Sequence, residues 1–98
     1  MNRPWAEELF SLVFDHSWDA RLPASMRDEV NRVGLVRAEI RLNVVDLVFD
    51  LEAQTVTALG PWEEDDEMPE ATVPLHVFWQ MLEAREGGRE WRECLLDT

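Results

Sequence analysis

The chain has 98 residues, 46% of them hydrophobic, with nine Arg, no Lys, 21 Asp plus Glu and a formal net charge of −12. The length predicts a single domain over residues 1–98, and the apolar content excludes a chain disordered throughout. The absence of Lys excludes Schiff-base chemistry, the glycines Gly34, Gly60, Gly87 and Gly88 fit no phosphate-binding spacing, and a lone Cys94 excludes an internal disulfide. No apolar run approaches the ~20 residues of a membrane-spanning helix, and none of signal-peptide type follows Met1. The expectation is a soluble cytoplasmic protein with no membrane partner.

In chain order, the first element is a helix over residues 4–20. Pro4 suits a first helical turn, Glu7 and Glu8 complement the positive end of the helix dipole, and Trp5, Leu9, Leu12, Val13 and His16 form one apolar stripe widened by Phe10 and Phe14. Pro23 ends that helix. Ser25 with Asp28 resembles a capping box for a short helix carrying Met26, Val30 and Val33, which Gly34 can terminate.

From residue 35 the period changes from 3.6 to two. Val36, Ala38, Ile40 and Leu42 alternate with Arg37, Glu39 and Arg41, which predicts a strand with one wet face. Val45, Leu47, Phe49 and Leu51 alternate with Asp46 and Asp50 but are out of phase with the first set, so a tight turn near Asn43 is predicted. Glu52, Ala53 and Gln54 connect to a third strand, 55–59, whose Thr55, Val56 and Thr57 favour extended structure. Gly60-Pro61 breaks the sheet, and an acidic loop at 61–72 leads to a second main helix, 73–86, with Leu75, Phe78, Trp79 and Leu82 facing inward and Gly87-Gly88 as its stop. The tail around Trp91, Cys94 and Leu95 reads as a short helix or a docked strand. The predicted fold is α+β: two main helices packed on a three-stranded, mainly antiparallel sheet, in the order helix, helix, strand, strand, strand, helix.

Charge is uneven along the chain. Residues 1–41 carry six Arg against seven acids, whereas residues 42–98 carry three Arg against fourteen. Within the second part, Trp62 to Glu70 holds six acids and no base. As a solvated loop this stretch needs no further purpose. As a docking segment, Trp62 is an aromatic anchor, Glu63, Glu64, Asp65, Asp66 and Glu67 steer it towards a basic groove, and Met68 adds an apolar contact.

Conventional catalytic groupings are missing. Asp46 and Asp50 share a strand face and are the nearest approach to a carboxylate metal or acid–base pair, but no third ligand has a recognisable spacing, so solvated cross-strand ion pairing is expected. His16 and His76 are expected to be satisfied structural residues, Cys94 a small buried hydrophobe, and Trp91, beside Trp62, an interface candidate. Nine dispersed Arg against 21 acids disfavour direct nucleic-acid binding. No motif carries a family resemblance. The expected function is therefore non-enzymatic and cofactor-free: an acidic inhibitor or immunity-type protein that blocks or sequesters a basic partner protein, one form of which is a nucleic-acid-binding partner met by mimicry of nucleic-acid charge. The alternatives are an accessory, homodimer-forming domain that is acidic for solubility and, more weakly, a carboxylate-metal enzyme.

Overall fold

Alternation of buried residues with more exposed ones in four segments builds the sheet. A computed structural model describes residues 3–32, 36–42, 45–60 and 70–96. Strands β1 (Arg37–Arg41), β2 (Asp46–Asp50), β3 (Thr55–Leu59) and β4 (Glu70–Pro74) pair antiparallel in the order β1-β2-β3-β4. Ala38, Leu47, Phe49, Val56, Ala58, Ala71 and Val73 are buried on one face, while the opposite face carries the charged and threonine positions. The phase slip near Asn43 is a chain reversal: Arg41 lies opposite Asp46, and Leu42 N–H donates to the Val45 carbonyl at 2.9 Å. Residues 43–44 themselves lie outside the described set.

The fourth strand corrects the predicted three. Residues 70–74 read Glu-Ala-Thr-Val-Pro, whose two inward side chains are only Ala71 and Val73, so the two-residue period is too short and too weakly apolar to register as a strand. The helix predicted from residue 73 begins at Leu75. Thr72 is opposite Thr57, with their hydroxyl oxygens 2.8 Å apart, and Pro74 ends an edge strand, where its missing N–H costs no ladder bond. Residues 70–72 thus belong to the sheet rather than to the acidic loop.

Helix α1 (Arg3–Ser11) runs into a π-helical turn over Leu12–His16, which ends four residues before the predicted boundary at 20. A helix end leaves carbonyls without intrahelical donors. The Phe14 carbonyl accepts Arg85 Nε–H at 2.9 Å, so a side chain far along the chain caps this turn. Helix α2 (Leu22–Val30) begins at Leu22 rather than Ser25. Pro23 occupies its first turn, where proline has no donor to waste, and does not act as a stop.

Helix α3 (Leu75–Glu86) ends where the glycines place it. Gly88, at φ 75°, takes the left-handed position, Gly88 N–H donates to Arg85 O at 3.2 Å, and Arg89 N–H donates to Ala84 O at 2.7 Å. This is the Schellman pattern. The tail forms a short helix, α4 (Arg92–Leu96). Helices α1 and α3 cover β3 and β4, and α2 lies against β1. Phe78 joins the layers: its ring is 5.3 Å from Phe49 of the sheet, edge-on at 89°, 5.6 Å from Phe14 and 6.2 Å from Phe10. No helix among the described residues is long and apolar enough to cross a membrane.

Candidate functional site

The predicted docking residues Trp62, Glu63, Glu64, Asp65, Asp66, Glu67 and Met68 lie outside the described residues. Glu70, at their C-terminal end, is exposed at the start of β4. Sheet register places Leu59 opposite Glu70 and Asp46 opposite Leu59, so the chain enters and leaves this stretch at one end of the sheet.

Asp46 and Asp50 do share the outer face of β2, opposite Arg41 and Arg37 respectively. They stand four residues apart on an extended strand, a rise of about 13 Å, which is too far for both to ligate one ion. Asp50 is occupied otherwise: its Oδ1 accepts the N–H groups of Glu52 at 3.1 Å and Ala53 at 2.9 Å and so shapes the β2–β3 turn. In that turn Gln54 adopts a left-handed backbone, φ 59°, its amide donates to Leu51 O at 2.6 Å, and its carbonyl accepts Leu75 N–H at 2.8 Å. The turn thereby holds the first residue of α3.

Three other expectations need correction. Both His16 and His76 are exposed, because the chain turns away after His16 and His76 follows the inward Leu75 by one helical step. Cys94 is half-buried against the core rather than fully enclosed. Trp91 is 2% exposed, with its ring 5.1 Å from Phe14, so it is core and not interface. Its charged neighbours Glu90 and Arg92 disguised an inward position.

Two polar constellations surround the aromatic core. The first clasps α4 to α1. Arg92 pairs with Asp15 at 2.6 Å, Glu90 at 2.9 Å and Glu7 at 3.2 Å, its guanidinium lies 4.5 Å from the Trp91 ring centre, and Trp91 Nε1–H donates to Asp15 Oδ1 at 3.3 Å. Hydrogen bonds from the Arg92 side chain and backbone hold the Glu90 carboxyl below the usual carboxylate range. The hydrogen bonds that Arg92 donates to Glu90 and Asp15 stabilise the charged guanidinium in turn.

The second is an open groove of about 490 Å³ between α2, the β2–β3 turn and α3, lined by Arg27, Val30, Asn31, Leu51, Gln54, Leu75, Trp79 and Glu83. Leu75, Trp79 and Glu83 fall on one face of α3 because they are four residues apart. Trp79 is stacked on Phe49 at 6.0 Å and 24°, and the remainder of its ring lines the groove. Arg27 donates to Glu86 at 2.7 Å across the groove's end, and that hydrogen bond, foremost, raises its pKa. Apart from the Trp79-to-Glu83 spacing of four, nothing in the sequence marks the groove, since its walls come from three separate segments. Among the described residues no group of three or more His, Cys, Asp or Glu could hold a metal ion. No family model matches the chain, and comparisons with curated proteins and with solved structures find no match.

Proposed function

We propose that the chain is a small acidic protein-binding inhibitor or immunity-type protein that captures a basic partner, in its sharpest form a nucleic-acid-binding one. The observation that carries this reading is the division of charge at the surface. No Asp or Glu among the described residues is buried, so their carboxylates reach solvent. Five of the nine arginines are engaged within the chain: Arg27, Arg32, Arg37 and Arg92 in ion pairs, and Arg85 on the Phe14 carbonyl and the Trp18 ring. What remains for a partner is an excess of carboxylate in a chain of net charge −12. A field of that sign speeds encounter with a basic protein and repels nucleic acid.

Kinetics against a basic protein recovered at low salt test the reading. Neutralising Glu63, Glu64, Asp65, Asp66 and Glu67 to Gln or Asn is expected to slow association by ~10-fold or more at low salt and to flatten its salt dependence. Trp62→Ala is expected chiefly to speed dissociation. Binding that ignores salt, or rates unchanged in both variants, would overturn this assignment.

One feature favours a second reading, that of a homodimerising accessory domain. Among the described residues β1 is an edge strand bonded only to β2, and Val36 beside it is 56% exposed. The outer sheet face itself is not apolar, since β1 and β2 present Arg37, Glu39, Arg41, Asp46 and Asp50 there. A sedimentation mass that doubles with concentration in the wild type and not in Val36→Lys would favour this reading over the first.

A further inference from the structure

We propose that the groove between α2 and α3 receives a cationic side chain, arginine or lysine, of the basic partner, held by the Trp79 ring and the Glu83 carboxylate. The inference deepens the functional reading above and rests on it for the identity of the partner.

Three tryptophan side chains with a charged neighbourhood can be compared. Trp18 carries Arg85 at 4.7 Å from its ring centre, and Trp91 carries Arg92 at 4.5 Å. Trp79, packed on Phe49 and Phe78, carries no arginine among the described residues, although it is only partly buried and borders an open groove. Glu83, one helical turn further on the same face, is exposed, and its carboxylate makes no hydrogen bond or ion pair with a described residue, although its charge acts on Arg27. An aromatic face with a carboxylate one turn away is the arrangement that recognises a guanidinium or ammonium, through the ring quadrupole and a charge-assisted hydrogen bond. The carboxamides of Asn31 and Gln54 on the opposite wall offer further acceptors.

Charge in the groove agrees. Arg27 is the one cation among the lining residues; Glu86 pairs with it at 2.7 Å and the charge of Glu83 also acts on it, so two carboxylates face one guanidinium and the groove carries a net negative charge. The walls of Val30, Leu51 and Leu75 suit the aliphatic stem of a long basic side chain, which buries its methylenes while its head meets the carboxylate.

N-acetyl-arginine N-methylamide is the probe, with N-acetyl-norleucine N-methylamide as the uncharged control, followed by amide and indole N–H resonances of the whole chain. The arginine probe is expected to shift the Trp79 indole, Leu51 and Glu83 signals saturably, and the norleucine probe is not. Glu83→Gln, an exposed change that leaves packing intact, is expected to weaken the arginine probe about tenfold. Arg27→Gln is expected to tighten it, because Glu86 is then released. Shifts that never saturate, that scatter over the acidic surface, or that persist unchanged in Glu83→Gln overturn the proposal. If a basic partner binds Glu83→Gln and Trp79→Leu as tightly as wild type, the groove assignment fails and the functional reading stands. If the probe binds the groove and no basic protein binds the chain, the reverse holds.

Discussion

The Arg92 clasp and the α2–α3 groove are made of the same parts: a tryptophan anchored on a core phenylalanine, carboxylates, and an arginine. In the clasp the arginine sits on the tryptophan and gathers Glu7, Asp15 and Glu90. In the groove the arginine turns to Glu86, and Trp79 and Glu83 stay open. The difference separates polar groups that hold the fold together from polar groups left for something else. Trp91, under the closed clasp, is buried, whereas Trp79 is partly buried at the open groove.

The largest expected effect removes the support both regions share. Phe78→Ala should destabilise the protein by about 3–5 kcal/mol in a denaturant titration, since it empties the junction between sheet and helices. A loss below about 1 kcal/mol would mean that clasp and groove stand on separate cores.

Next in size is the groove's turn. Gln54→Val places a β-branched residue at a left-handed backbone and also deletes the bond to Leu51 O, for an expected cost of about 1–2 kcal/mol. Amides at the start of α3 should exchange faster in that variant, because the Gln54 carbonyl holds Leu75 N–H. The clasp should be barely affected.

Arg92→Gln strikes the clasp alone. Its partners are more than a third exposed and screened by solvent, so the network is expected to contribute only about 1 kcal/mol. Arg27→Gln, which breaks one exposed pair, should cost less than about 0.5 kcal/mol in the same titration. Equal losses in the two variants would erase the distinction between a closed and an open constellation.

The smallest effect is in pH. Glu90 has its carboxyl pKa lowered in the folded state, so its contribution is fully present above the ordinary value of 4.5 and is lost as pH falls through the lower folded value. Melting temperature measured between pH 6 and 3 should therefore fall slightly more in the wild type than in Glu90→Gln, and the two curves should converge at the acidic end.

Much of the sheet could be read from residue types because alternation over Val36–Leu42 and Val45–Leu51 leaves one face for the core, and the opposite phase forces a reversal between them. The end of α3 was equally legible, since Gly87-Gly88 supplies the left-handed residue a Schellman stop requires. β4 was not, because Ala71 and Val73 give only one repeat of the strand period and Pro74 suggests a helix start. The end of the first helix was missed for a different reason: Arg85 caps the Phe14 carbonyl, and a partner 71 positions away leaves no local trace. The groove was hidden in the same way, since Arg27, Leu51 and Glu83 meet only after folding.

The spacing of partners along the chain also sets a timetable. Each strand bonds to the strand next to it in sequence, so the meander closes through short loops, and Thr57 meets Thr72 across 15 positions. Arg92 meets Asp15 across 77. Short closures cost less chain entropy than long ones and favour fast assembly. The clasp is therefore expected to form after the sheet and to open before it, so that α4 amides exchange through a local opening while Phe49 and Val56 amides exchange only when the whole molecule unfolds.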